Sequence, residues 1–499
     1  MRGGLAGGAT RGAAWNVLTF GLSKTALLVT TVVLARVLRP EDFGLLALGL
    51  LAVLYLDVLG DLGVGPAVIQ RQERTAAGAQ RTASTAVVVA AGTGLALTAL
   101  AVLGAPLLAL LFDEPRLTGV VQVLALSFLF RMLGVVHRSR MAKDLQFARA
   151  AVPELTGAVL KSGVSIGLAL GGAGVYSLAW GQVVGAAATT CLYWALSRWR
   201  FRPVFHLRTA RELLRFGVPV TLLGLLTVLM QTVDQVIVGQ RLDAKALGQY
   251  AIAFRLPELF VIHVCALISG ALFPSYARTS DDPDRLRRGF RSALRLVSIV
   301  TVPLGVGLAV TAPDLIPVVF GPQWEPAVPV MQLFALAATL QALSFNVGDV
   351  YKAVGRVGVL NRLAVLYLAV SMPVLWVVAP SGIVAVAGWL LVVSTVFTVL
   401  RFAVASRLMA VPAGQIVREL SPALTAGVAM AAAVTGTVAL LPGLSSAARL
   451  PVLVAVGAGT YVAALALVSR STVEQVAAVA RAAWGSAPPT DAGRPGDSV

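Results

Sequence analysis

Stretches of roughly 18 or more predominantly apolar residues recur from one end of this 499-residue chain to the other. At about 1.5 Å of rise per residue, each is long enough to cross a hydrocarbon layer of about 30 Å. Nothing else in the sequence restricts the fold as strongly, because lipid offers no partner for backbone N–H and C=O groups, and only helices and closed barrels satisfy them all internally. A barrel would read as roughly ten-residue segments of alternating polarity. These runs are instead continuous and rich in Ala, Leu, Val and Gly, which predicts an all-α integral membrane protein. Candidate spans fall at 13–35, 44–69, 82–111, 117–136, 152–171, 173–196, 216–238, 248–273, 292–319, 327–350, 361–379, 382–405, 421–441 and 448–469, about fourteen transmembrane helices. The composition agrees: 13% of residues are charged and the mean hydropathy is +0.84, whereas soluble domains carry roughly 25% charge.

A formal net charge of +17 raises nucleic acid as a partner, but the position of the charge excludes it. With both termini cytoplasmic, most of the Lys and Arg fall in the segments on that side, as the positive-inside rule requires. The first apolar run follows Arg2 and Arg11 as a signal peptide's would, yet it is too long and lacks a convincing small-residue cleavage site, so it is expected to remain as the first helix. Cys191 and Cys265 both lie within spans, which indicates neither a disulfide framework nor a thiolate metal site.

The segment LARVLRPEDFGLLAL (34–48) has an echo 204 residues later in VGQRLDAKALGQYAI, which places Leu38 on Leu242, Gly44 on Gly248 and Ala47 on Ala251. Further on, APLLALLF (105–112) faces APDLIPVVF (312–320), and LALSFLF (124–130) faces FALAATL (334–340). Six spans separate the paired elements, so both copies cross in the same direction, a parallel repeat of the kind found in transporters that rock two lobes around a central cavity. The expected organisation is an N-terminal lobe at 1–200, a basic cytoplasmic linker at 201–215, a C-terminal lobe at 216–405, two added helices at 421–469 and a largely disordered cytoplasmic tail at 470–499. Apolar residues interleave with arginines around the linker, which suits contact with anionic membrane lipids.

Function is sought among ionisable residues deep in the spans, each of which costs about 2.5 to 3.5 kcal/mol at a helix centre unless it is hydrated or paired. Arg131, Glu154, Asp234, Arg295, Asp314, Asp349, Arg362, Arg401 and Arg449 lie near helix ends, within reach of the interface. The deep ones are Lys24, Asp57, Asp61, Lys161, Arg255, Glu258 and His263. Asp57 and Asp61, spaced i, i+4, share a helix face and are placed to neutralise Lys24. Arg255 and Glu258, spaced i, i+3, are placed to pair within one helix. Each pair reads either as a buried ion pair fixing geometry or as a contact to substrate or coupling ion, and His263 as a hydrogen-bonded core residue or a proton-coupling group. The sequence holds no G-x-x-x-x-G-K-[ST] phosphate loop, no HExxH and no G-x-S-x-G elbow. A non-enzyme without a cofactor is expected, its coupling ion or energy source left open.

The stretch RGAAWNVLTFGLSKTALLVTTVVLARVLRPEDFGLLALGL with DLGVGPAVIQRQE, and DQVIVGQRLDAKALGQYAIAFRL in the second half, resemble the bacterial polysaccharide flippases of the multidrug/oligosaccharidyl-lipid/polysaccharide exporter superfamily. The resemblance covers about residues 10 to 470. It implies a fourteen-helix, two-lobed, MATE-like bundle in the bacterial cytoplasmic membrane that moves polyprenyl-diphosphate-linked glycan repeat units between leaflets. Polysaccharide polymerase and glycosyltransferases are further partners it implies. A lipid diphosphate needs cations in the cavity, and Lys24, Arg255 and Lys161 are the deep ones, Lys24 and Arg255 lying in the first helix pair of their respective repeats. Transport of the peptidoglycan lipid precursor, or of small cationic drugs by the same fold, stands as the alternative.

Overall fold

The computed structural model describes residues 21, 24–71, 73, 75–278, 282–353 and 356–469. The start of the first expected span and the tail expected to be disordered lie outside the described residues. Among the described residues all regular structure is helical: α1 (24–37), α2 (Pro40–Asp61), α3 (Val64–Gln70), α4 (Ala76–Leu111), α5 (Leu117–Lys143), α6 (Phe147–Leu170), α7 (Val175–Leu196), α8 (Leu207–Arg241), α9 (Ala244–Pro257), α10 (His263–Arg278), α11 (Pro283–Val319), α12 (Val328–Ala353), α13 (Val357–Val378), α14 (Ile383–Met409), α15 (Ala413–Leu440) and α16 (Ser446–Val468).

Eleven of the described helical segments are long and apolar enough to cross a membrane. The helices α1, α6 and α7 lie at the three remaining expected spans without being among those eleven. The first is described only from residue 24; α6 carries Arg149, Glu154 and Lys161, and α7 carries Gln182, Thr189 and Thr190, which dilute their hydropathy. Two expected spans are interrupted. The α2–α3 span breaks where Leu62 and Gly63 turn into the left-handed region, at φ 41° and 65°. The α9–α10 span widens into a π-helical turn, Glu258–Ile262, directly after Pro257, whose missing N–H and bulky ring disrupt the ladder of the preceding turn. The basic linker is extended only to residue 206, and from Leu207 it is already the first turn of α8.

Two compact units divide the chain. The first takes Met1–Leu259, Leu315–Phe334 and Gly358–Val393; the second takes Phe260–Asp314, Ala335–Val357 and Ser394–Val499. In the first, α5 packs between α4 and α7 and against α2, α9 lies across α2, and α6 lies along α7. In the second, Ile299 and Val302 of α11 bury against Ala423, Ala426, Met430 and Val434 of α15 and Leu453, Tyr461 and Leu465 of α16. Polar ties flank that apolar contact. The Glu419 carboxylate on α15, 2% exposed, accepts from Arg291 Nη2 at 2.7 Å and from Arg295 Nε at 2.8 Å. Asp314 near the end of α11, also 2% exposed, takes Arg449 of α16. Arg295 and Asp314 stand roughly 28 Å apart along α11 by helical rise, so the last two helices are pinned to it near both faces of the bilayer. Asp314, Arg295 and Arg449, which the sequence places within reach of the interface, are all held in ion pairs.

Replacing Glu419 by Gln removes the acceptor that two arginines share. Breaking a fully buried pair costs about 3–5 kcal/mol; here the arginines are about one-third exposed and water can reach them, so a loss of about 1–3 kcal/mol is expected. Thermal unfolding of the detergent-purified protein should show E419Q melting several degrees below wild type, with R288Q, at an exposed arginine of α11, unchanged.

Candidate functional site

The deep charges of the first unit come from five helices and a turn. The α6 and α7 backbones approach closely: a Cβ placed on Gly185 would lie 2.8 Å from Lys161 Cβ and 3.0 Å from Gly157 O. That approach fixes the stem of Lys161, which is half-buried. The adjacent Ser162 accepts a hydrogen bond from Thr30 Oγ1 at 2.6 Å, laying α1 against α6. Arg255, Arg131 and Lys24 all lie close enough to Lys161 for their charges to act on it. The three cations chosen from the sequence, Lys24, Lys161 and Arg255, therefore gather in one neighbourhood.

The acids are distributed differently from the simplest reading of their spacing. Asp57 is held by Arg131 of α5: Arg131 Nε donates to Oδ1 at 3.1 Å, and Nη2 stands 3.0 Å from Oδ2 without the alignment for a hydrogen bond. Both side chains are about one-third exposed. Asp61, one turn on, accepts the backbone N–H of Gly65 at 3.0 Å across the α2–α3 break, within range of Arg138. Glu258 pairs with Arg255 at 3.4 Å, as the i, i+3 spacing indicates. His263 opens α10 just beyond the π-helical turn, in the second unit. Arg131, which the sequence places near the end of a span at 117–136, stands near the middle of α5 because that helix runs on to Lys143. In this neighbourhood the four cations Lys24, Arg131, Lys161 and Arg255 face the carboxylates Asp57, Asp61 and Glu258, a formal surplus of one positive charge.

A second feature lies at the α1–α2 end of the first unit, in the segment whose echo exposed the repeat. Helices α2 and α9 cross with their backbones in contact. A Cβ on Gly44 would fall 1.6 Å from Ala244 O, and one on Gly248 would fall 1.9 Å from Pro40 O. Residues 40 and 44 correspond to 244 and 248 at the repeat offset, so each helix presents the same two positions to the other, as contact about a pseudo-twofold axis demands. Around the crossing, Arg36 donates to the carbonyls of Val318 and Val319, the orphan acceptors at the end of α11. Trp324 Nε1 and Gln323 Nε2 both donate to Ala35 O, at 2.9 and 2.7 Å, and the fully buried Trp324 ring meets Phe43 edge-on at 5.2 Å. Only Leu38 and Arg39 separate α1 from α2 here, so Gly44 lies inside α2. The paired glycines were visible in the sequence, but their mutual contact was not.

A helical membrane bundle with a parallel repeat and a net-cationic polar interior is the class of protein that fold and site together define. A family profile described as "Polysaccharide biosynthesis protein" matches residues 33–329, more than half of the chain; the chain belongs to that family. It is 28% identical over 354 residues, 70% of each sequence, to the lipopolysaccharide biosynthesis protein WzxC of Escherichia coli. It is also 28% identical to the succinoglycan biosynthesis transport protein ExoT of Rhizobium meliloti, over 66% of each. Among solved structures it resembles the lipid II flippase MurJ in an inward closed conformation, with a TM-score of 0.74 at 14% identity, over 92% of this chain and 99% of that one, a likeness of fold.

The α2–α9 crossing leaves no room for a side chain. Gly44→Ala is expected to force the backbones apart and lower the thermal midpoint by the equivalent of about 1–3 kcal/mol. Gly92→Ala in α4, where a Cβ would meet nothing within 4 Å, should leave the midpoint unchanged or raise it, since alanine is the better helix former by about 1 kcal/mol.

Proposed function

We propose that the protein is a flippase that moves polyprenyl-diphosphate-linked oligosaccharide repeat units across the bacterial cytoplasmic membrane during surface polysaccharide synthesis. The observation that carries this reading is the cationic surplus gathered by Lys24, Arg131, Lys161 and Arg255 inside an otherwise apolar bundle. A diphosphate diester carries two ionised phosphates, and in a low-dielectric interior its burial is tolerable only where fixed cations balance it. Membership of the polysaccharide biosynthesis family and the likeness to a transport protein of succinoglycan synthesis support the cargo class. In this reading Lys24, Arg255 and Lys161 hold the diphosphate, Asp57, Asp61 and Glu258 balance their charge, His263 of the second unit is a candidate coupling group, and the polyprenyl chain stays in lipid.

The same reading sets both termini in the cytoplasm, as the distribution of Lys and Arg favours, and the α1–α2 end outside. The two repeats form the lobes of an alternating-access carrier. The contacts of Arg36, Trp324 and the Gly44–Gly248 crossing then shut the outer end, and they are what must separate for the glycan to leave. Their chemistry suits a gate. Polar contacts near the interface can exchange partners with water, and the crossing itself is made by backbone and glycine, so the one large group that opening must release is the Trp324 ring held against Phe43. Glycosyltransferases that build the repeat unit and a polymerase that consumes it are the proposed neighbours.

Reconstituted in liposomes with a fluorescent undecaprenyl-diphosphate oligosaccharide in the inner leaflet, wild type should expose the glycan to an external lectin. The single variants Lys24→Gln, Lys161→Gln and Arg255→Gln should slow exposure by about tenfold or more, one lost charge-assisted contact being worth about 1.5–3 kcal/mol. Undiminished transport in all three would remove the diphosphate site. Rescue of a strain lacking its peptidoglycan precursor flippase, with no activity on the oligosaccharide, would shift the cargo to that precursor.

A further inference from the structure

The pair Arg131–Asp57 has features that a purely structural ion pair does not need. In the second unit the chain holds arginine through closely packed carboxylates: Glu419 is 2% exposed and accepts hydrogen bonds from two arginines through both its oxygens, and Asp314 is 2% exposed and takes Arg449 through both of its own. Asp57 and Arg131 are 31% and 34% exposed, and one aligned hydrogen bond joins them. Arg131 Nη2, beside the carboxylate, forms no hydrogen bond at all. The guanidinium is a planar fork of five donors suited to two phosphate oxygens at once, and in this site most of that capacity is unspent. It also stands within electrostatic range of Lys161, a cation of the proposed diphosphate site.

We propose that Arg131 is a further ligand of the diphosphate and that Asp57 is its resident counter-ion, an internal anion that occupies the guanidinium between cargoes and competes with the phosphates for it. This deepens the reading given above and rests on it. Without a counter-ion the empty cavity would carry an uncompensated arginine in a low-dielectric environment during every return step, which is costly. With one, the cargo exchanges one anionic partner for another. The exchange makes binding weaker than it would otherwise be and release correspondingly easier, which a carrier that must unload on the far side requires. Asp61 does not share this role, because its carboxylate is committed to the Gly65 N–H at the α2–α3 break.

The test is a titration of undecaprenyl diphosphate into the full-length protein in nanodiscs, followed by tryptophan fluorescence, with undecaprenyl monophosphate and inorganic diphosphate as parallel probes. Asp57→Asn frees Arg131 and should tighten undecaprenyl diphosphate binding by about tenfold, the effect of one added unit charge at close range, while slowing liposomal transport. Arg131→Lys keeps the charge and the pair but removes the fork, and should weaken diphosphate binding severalfold with less effect on the monophosphate. If D57N, still folded by its thermal midpoint, binds the diphosphate no better or more weakly, the pair is structural and the proposal falls. If D57N does not fold, R131K decides, and unchanged diphosphate binding in it overturns the proposal equally. Failure of the wild-type protein to bind undecaprenyl diphosphate would instead bring down the underlying assignment of cargo, and inorganic diphosphate binding as tightly as the lipid form would show that the site recognises the anion without its anchor.

Discussion

Charge held inside a hydrocarbon layer has to be held against other charge, and that constraint organises the polar interior of this chain. The acids buried most deeply act as fasteners. Glu419 and Asp314, each shielded almost completely, bind the arginines that join α15 and α16 to α11. Their number is small because each ion costs several kcal/mol to desolvate and repays it only when its lone pairs are filled. The less shielded acids, Asp57 and Glu258, face a group of cations that outnumbers them. Exposure and hydrogen-bond saturation thus separate the same residue types into two sets.

Much of the fold was legible in the sequence, because hydropathy and span length respond directly to the thickness of the bilayer. The all-helical class, most of the expected spans and the paired glycines follow from residue type and position alone. What the sequence withheld depended on which helix faces met. Asp57 was matched to Lys24 by helix-face logic, yet α5 supplies Arg131 across the interface, a contact between residues 74 apart. The ion pairs of Glu419 span more than 120 residues, and no local pattern encodes that. The π-helical turn after Pro257 was hidden for a different reason: proline inside a span announces a disturbance without saying which form the relief takes.

The corner at 34–48 shows how a weak signal became informative once it was paired. Alone, a Pro and a Gly between two apolar runs indicate a turn. Repeated at an offset of 204, Gly44 and Gly248 indicate common ancestry of two segments. In three dimensions the equivalent positions touch each other, and a glycine is required at each because the partner's carbonyl occupies the space of a Cβ. A duplicated helix that crosses its own copy about a pseudo-twofold axis keeps the same small residue on both sides, since either side chain would separate the pair. Duplication therefore accounts for the echo, and contact accounts for its persistence at these two positions.

That symmetry does not extend to the cations, and the difference is informative. By the repeat alignment Arg255 falls opposite Leu51 and Lys24 opposite Val228, while Arg131 and Lys161 also come from the first repeat. A closure between two copies of a helix is a symmetric contact and gains from identical partners. A lipid-linked diphosphate is an asymmetric ligand, with a polyprenyl chain on one phosphate and a sugar on the other, and a symmetric site would hold it equally well in two opposed orientations. Only one of these leaves the glycan in the cavity and the chain in lipid. Under the proposed assignment, a cation set weighted toward one repeat removes that degeneracy, and the break in symmetry at the site would give the cargo a defined direction of entry.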